Sequence, residues 1–308
     1  MYLYILLVMN TKPFIKWVGG KTQIINEVII LFPKEINNYY EPFLGGGSVL
    51  LTLLKYRREG KIKINGKIFA SDLNAHLICL FKNIQLYPDE LIKEIKILIS
   101  EYNLCNNTEV NRNPTNITEA MTSRESYYYW TRRKFNYILQ CERDSIKSSA
   151  LLFFINKTCF RGLYREGPNG FNVPFGNYKT LDINEDNITN VSELIKDVIF
   201  SYCSFEDSCN CVTIGDFVYL DPPYAQENGK SFVSYTKDNF NEETTKKLFD
   251  LCHSFKDIQV KMLMSNANVP LIRTSFPSPL YNTVVISCRR AINSKTPNSR
   301  ANEVLITN

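Results

Sequence analysis

The stretch that most constrains this chain is Asp221-Pro222-Pro223-Tyr224, which directly follows the apolar run Phe217-Val218-Tyr219-Leu220. A short apolar run of this kind reads as a buried strand. Two successive prolines each fix φ and each remove a backbone donor. The residue before each proline is pushed out of the α region. The strand must therefore stop, and the chain leaves it as a stiff turn. That turn offers the Asp221 carboxylate, the Pro222 carbonyl and the Tyr224 ring. Two acceptors suit an –NH2 group lying beside them, and the ring can stack on the heterocycle that carries it. The four residues point to a site for a nucleobase amino group rather than to a metal or acyl-transfer site. Taken alone, they also fit an ordinary strand-end turn with a buried tyrosine.

A second segment narrows the reading. Glu41-Pro42-Phe43-Leu44-Gly45-Gly46-Gly47-Ser48 precedes the apolar run Val49–Leu54. Glycines at a strand-to-helix junction allow positive φ and close approach of a ligand to the backbone. Ser48 is placed to cap the helix that follows. Further on, Lys67–Asp72 reads as a short strand ending in an acid, 25 residues after Gly47. In nucleoside-binding α/β folds, an acid about 20 residues beyond such glycines holds ribose hydroxyls. In isolation, a plain loop and a solvated turn acid explain the same residues.

Together with Phe14-Ile15-Lys16-Trp17-Val18-Gly19-Gly20-Lys21, these segments resemble the Dam-type (D12 class) DNA adenine-N6 methyltransferases, which use S-adenosylmethionine. The resemblance runs from about Pro13 to the C-terminus and is weak near 91–123. Its blocks come in the family's order, with a recognition segment, Asn156–Arg165 continuing to Phe171–Gly176, before Asp-Pro-Pro-Tyr. The resemblance implies Asp221, Pro222, Pro223 and Tyr224 as catalytic residues. It implies Trp17, Lys21, Phe43, Gly45, Gly47, Asp72 and Asp221 as the binding site of S-adenosylmethionine, whose product is S-adenosyl-L-homocysteine. It also implies Lys157, Phe160, Arg161, Leu163, Arg165, Pro174 and Tyr178 as DNA-binding residues. Leu163, Arg165, Pro174 and Tyr178 match members that read GATC. Arg165 is the candidate for gripping a guanine, and Phe160 for wedging into the stack. Arg161 departs from the pattern, where Asn is common. Double-stranded DNA is the implied partner. A cognate restriction endonuclease in the same system is left open, not necessarily as a physical partner.

Charge distribution agrees with a nucleic-acid surface. The net charge is only +5, but Arg124–Thr180 holds ten Lys or Arg against four Asp or Glu. Basic residues interleaved with aromatics are the footprint of phosphate binding. Tyr127–Trp130 and Phe135 have helical spacing and are expected in a core. Lys157–Arg165 is expected on an exposed loop, since Gly162 and Gly167-Pro168-Asn169-Gly170 mark turns. The nine cysteines form no convincing metal spacing, and His76 and His253 are far apart, so no metal is expected. The apolar run Met1–Met9 is far shorter than the ~20 residues that span a bilayer. An intracellular protein is expected, with Met9 an alternative start.

Strands alternating with helices imply an α/β, Rossmann-like methyltransferase core with a mostly parallel sheet. The expected division is a catalytic domain of residues 9–76 and 185–308. Residues 77–184 form an inserted, mainly helical recognition domain with a β-hairpin. Helices are expected at 27–32, 49–58, 73–86, 89–102, 124–141, 146–154 and 241–255, and a final hairpin at 283–288 with 303–307. Residues 105–118 read as a flexible loop. Ser265-Asn266, at a strand end, is a candidate pocket wall. Two rival functions share the amino-group clamp or the DNA surface: an RNA adenine-N6 methyltransferase and a non-catalytic DNA-binding relic. The intact Asp221 and glycines speak against the relic.

Overall fold

The computed structural model describes residues 11–106, 108–179, 181–225, 240–289 and 300–308. The Met1–Met9 run lies outside them. The strands of the main sheet are β1 (Tyr39–Glu41), β2 (Ile68–Asp72), β3 (Val198–Tyr202), β4 (Phe217–Leu220), β5 (Lys261–Ala267), β6 (Asn282–Arg289) and β7 (Arg300–Thr307). The longer helices are α1 (Ser48–Arg58), α2 (Ala75–Leu86), α3 (Pro88–Leu104), α4 (Arg124–Asn136), α5 (Ile146–Thr158), α6 (Glu185–Ile195) and α7 (Glu242–Asp257).

The chain forms two compact units. One holds 18–78, 164–172 and 197–308; the other holds the described residues up to Trp17, 79–163 and 173–196. The first contains a seven-stranded sheet in the order β6-β7-β5-β4-β1-β2-β3. All pairings are parallel except β7 with β5 and β7 with β6. Parallel strands are covered on both faces and read as apolar runs. β4 is buried at all four positions, and Phe32, Tyr39, Phe217 and Tyr219 cluster on one side of it. The strand order reverses between β1 and β4, the place where open α/β sheets bind ligands beyond their carboxyl ends. Glu41, Asp72 and Asp221 all lie at such ends.

The second unit is helical. α3 starts with Pro88 at its first position, where the missing N–H costs nothing. Ser123 and Ser145 cap α4 and α5 by accepting from Ser126 N and Ser148 N. α6 buries Ile188, Val191, Ser192 and Ile195, a single stripe at helical spacing. Lys96 of α3 pairs with Glu185 of α6 at 2.8 Å, and Gln85 Nε2 donates to Ile195 O at 2.7 Å. These bonds place α6 with the helical unit rather than with the sheet, and Lys12 joins it by donating its N–H to Asn187 Oδ1 at 2.9 Å. Residues 164–172 fall with the sheet unit. The division therefore runs differently from the expected 77–184 insert.

Several element bounds differ from expectation for local reasons. α2 begins at Ala75 because Asn74 Oδ1 accepts from Leu77 N at 2.9 Å. α4 ends at Asn136 rather than Cys141; a separate 3-10 turn covers Gln140–Glu142. α5 runs on to Thr158 instead of stopping at Phe154. The early helix is Ile25–Ile29, earlier than 27–32. The 105–118 segment contains the start of a short helix, Ile117–Ala120, capped by Asn116.

Candidate active site

The site in the sheet unit grows from the ends of β1, β2 and β4. At the end of β1 the chain turns through Gly45 (φ 49°) and Gly47 (φ 70°). Both angles are left-handed, where a Cβ is costly. Gly45 N donates to Asp72 Oδ2 and Asn74 N to Asp72 Oδ1, both at 2.9 Å. Asp72 thus ties the glycine turn to the end of β2. Burial raises its carboxyl, opposed by these backbone N–H groups. A carboxylate has about four lone-pair sites, so Asp72 keeps acceptor capacity for a hydroxyl. Phe43 stacks on Phe205 with centroids 5.6 Å apart.

Ser48 does not cap α1 as expected. The N-cap is Gly47, without a side-chain bond, and Ser48 Oγ instead accepts from Lys21 N at 3.1 Å. Glu41 replaces the cap from outside the helix, its carboxylate accepting from Leu50 N. Glu41 is 2% exposed and also accepts from the Tyr39 hydroxyl at 2.7 Å. Burial pushes its carboxyl up to about 8.

Lys21 is the group that sequence spacing could not place. It lies 200 residues from Asp221, yet its Nζ sits 2.6 Å from Asp221 Oδ2 and donates to Gly19 O at 2.6 Å. The lysine is 3% exposed, and the same Nζ lies 5.0 Å from the Tyr224 ring centroid. Burial raises the Asp221 carboxyl, and the Lys21 ammonium opposes it. Asp221 Oδ1 is buried and has no hydrogen-bond partner among the described residues. A buried acceptor left unpaired is costly, so an incoming N–H donor gains there. The Tyr224 hydroxyl donates to Glu303 Oε2 at 2.8 Å, and Ala225 N donates to Asn266 Oδ1 at 3.1 Å. Asn266 thus holds the far side of the turn, and Ser265 bonds Tyr219 at 2.9 Å. Pro222 is buried and Pro223 half-buried within the turn. Asp221, Tyr224 and Lys21 come together; Asp72, Gly45, Gly47 and Phe43 form a second group in the same unit. Trp17, half-buried, belongs to the helical unit.

The recognition candidates also fall on both units. In the helical unit, Phe160 N donates to Pro174 O at 2.8 Å, and Lys16 Nζ lies 5.4 Å from the Tyr178 ring centroid. Phe160, Arg161 and Pro174 are exposed, and Leu163 and Tyr178 are half-buried. Lys157 is not on a loop as expected. It occupies the last turn of α5, half-buried over Phe153, and burial lowers its ammonium. Gly162 is buried rather than exposed, with φ +67°; a Cβ there would meet Lys16 side-chain atoms at 2.6 Å. Arg161 also takes a left-handed φ of 59°. In the sheet unit, Glu166–Gly167 and Gly170–Phe171 form a short hairpin, which ends where the Phe171–Gly176 stretch of the recognition segment begins. Exposed Arg165 spans its base, Nε donating to Asn172 Oδ1 at 2.6 Å and Nη2 to Asn172 O at 3.4 Å. A guanidinium has five N–H groups, so three remain for a partner. Tyr127 and Tyr128 are core, as expected, while Tyr129 and Trp130 are half-buried, with Arg132 and Lys134 over their rings.

Among the described residues no cluster of His, Cys, Asp and Glu suits a metal ion. No helix among them is long and apolar enough to cross a membrane.

The sequence model of the family described as D12 class N6 adenine-specific DNA methyltransferase matches residues 17–292. The Type II methyltransferase M.MjaIII of Methanocaldococcus jannaschii is 36% identical over 93% of this chain and 94% of its own. The Type II methyltransferase M1.LlaDCHI of Lactococcus lactis subsp. cremoris is 28% identical over 97% and 96%. The DNA adenine methylase of Haemophilus influenzae is 29% identical over 88% and 83%.

Proposed function

The chain belongs to the D12 class of N6 adenine-specific DNA methyltransferases, and from that membership we propose how its own residues act. It transfers a methyl group from S-adenosylmethionine to N6 of an adenine flipped out of duplex DNA, within a GATC-like site. The observation that carries this reading is Asp221: one carboxylate oxygen held by Lys21, the other buried and unpartnered among the described residues.

Adenine N6 is a weak nucleophile because its lone pair is delocalised into the ring. Asp221 Oδ1 and the Pro222 carbonyl accept its two hydrogens and favour a more tetrahedral nitrogen. The lone pair is then available for in-line attack. When bound, S-adenosylmethionine supplies an electrophilic methyl on a sulfonium centre, with S-adenosyl-L-homocysteine as product. Asp72, Gly45, Gly47, Phe43 and Lys21 of the sheet unit are the residues that would hold it. Asp72 fits the role because its carboxylate, raised by burial, keeps acceptor sites beyond its backbone bonds. After transfer the nitrogen sheds a proton, and Asp221, itself raised by burial, is placed to take it. No covalent enzyme intermediate forms, so the rate gain comes from orientation and fixed charges.

The target lies inside a duplex and must leave the stack. Tyr224 receives its face, while Phe160 fills the gap. Arg165, held by Asn172, contacts a guanine with its remaining donors. Lys157, Arg161, Leu163, Pro174 and Tyr178 are the DNA contacts of the helical unit. Sequencing modified bases in DNA from cells expressing the chain tests the reading. N6-methyladenine at GATC supports it; N6-methyladenine mainly elsewhere removes the site assignment, and its absence removes the reaction.

A further inference from the structure

Glu303 has no part in the mechanism above, yet it touches the residue on which the target base stacks. It lies on β7, opposite Ala267 of β5. Its carboxylate accepts from the Tyr224 hydroxyl at 2.8 Å. Asn266, the neighbour of Ala267, accepts from Ala225 N. The β5–β7 pair therefore grips both the ring tip of Tyr224 and the backbone just after it. At the other end of the residue, two prolines stiffen the chain. A ring that served only as an apolar platform would need no partner at its tip, and phenylalanine would suffice. A phenol bonded to a carboxylate is held by a charge-assisted bond, roughly twice as strong as a neutral one.

We propose that Glu303 is a positioning residue of the transfer site: by holding the Tyr224 hydroxyl it fixes the plane on which the target base stacks, and so the place where the amino group meets Asp221 Oδ1. This rests on the reading of Asp221 and Tyr224 given above. Where orientation supplies much of the rate, a displacement of about 1 Å costs on the order of 100-fold. The carboxylate acts through tyrosine and not on the base, so its effect falls on the transfer rate rather than on affinity for cofactor or DNA.

The test uses the full chain and a duplex oligonucleotide with one GATC site, under single-turnover conditions. The variants are Glu303→Ala, Glu303→Gln, Tyr224→Phe, the Glu303→Ala/Tyr224→Phe pair and Asp221→Ala. Glu303→Ala and Tyr224→Phe should each slow transfer roughly 10- to 100-fold, the size of a lost hydrogen bond to a charged group. The double variant should be no slower than the slower single one. Glu303→Gln keeps an acceptor oxygen and should stay within about fivefold of wild type. Cofactor affinity and the thermal midpoint should not move. Multiplicative losses in the double variant overturn the proposal. So does wild-type transfer in Tyr224→Phe, or a Glu303→Gln variant as slow as Glu303→Ala. A loss of rate that tracks a lowered thermal midpoint assigns Glu303 to folding and overturns it too. Asp221→Ala separates the two levels. A wild-type rate there overturns the underlying reading; inactivity there with multiplicative Glu303 and Tyr224 losses overturns the Glu303 proposal alone.

Discussion

Replacing Lys21 with methionine isolates the electrostatic core of the site. The ammonium and the Asp221 carboxylate are 2.6 Å apart, with side-chain exposures of 4% and 18%. Removing one partner of a buried ion pair costs about 3–5 kcal/mol, because a charge is left without compensation. Protonation sets a ceiling on that cost. Neutralising an ordinary aspartate at pH 8 takes about four pKa units, or about 5–6 kcal/mol. Burial already raises Asp221, so the ceiling is lower, and a loss of about 2–4 kcal/mol at pH 8 is expected. Without the lysine, burial is opposed less and the Asp221 carboxyl rises further. An acid raised above its unfolded value keeps its full stability below the unfolded pKa and loses it as pH rises through the folded one. The variant's deficit must therefore shrink as pH falls from 8 to 5.5, because a carboxyl raised further takes up its proton at a higher pH than the wild type's does. Thermal unfolding of both proteins at the two pH values is the assay, with a gap of roughly 3–6 °C expected at pH 8. A deficit equal at both pH values, or larger at pH 5.5, refutes the reasoning.

Three further outcomes are expected. Asp72→Ala should weaken S-adenosylmethionine binding about tenfold or more in calorimetry, since the variant loses both the acceptor and the tie to Gly45; undiminished affinity removes Asp72 from the cofactor site. Glu41, raised to about 8 by burial, is protonated when folded and ionised when unfolded between about pH 4.5 and 8. Urea unfolding should then show stability falling by about 1.4 kcal/mol per pH unit in that window, and Glu41→Gln should flatten the slope. Arg165→Ala should relax discrimination at one guanine by roughly 1–3 kcal/mol; equal weakening on all sequences, with a smaller salt dependence, makes it a phosphate contact instead.

What the sequence disclosed and what it hid follow a physical division. The β4 strand, the double-proline turn, the glycine turn and Asp72 were legible because each is local. An apolar run and fixed φ angles lie within a few residues, and Asp72 follows the glycines at a fixed spacing of 25 residues. The helical stripe that buries Tyr127 and Tyr128 was legible for the same reason. Contacts between distant segments left no local mark. Only the resemblance singled out Lys21, and its bond to Asp221, 200 residues away, arises on folding. Ser48 has the right type and position for a cap, but Lys21 N competes for its oxygen and Glu41 takes over at the helix. Lys157 sits where helix and loop are a turn apart, and the helix extends one turn further than the apolar pattern. Glu303 lies just before three consecutive buried residues of its strand, and only sheet pairing reveals its bond to Tyr224.

Asp221 is proposed to prepare adenine N6 for transfer. That role is tested most directly by the single-turnover rate of Asp221→Ala on a GATC duplex, with cofactor and DNA binding measured on the same protein. Loss of one well-placed polar group costs roughly 100- to 1,000-fold. The account predicts at least that loss in N6-methyladenine formed, with cofactor and DNA still bound. A wild-type rate in that variant would contradict it.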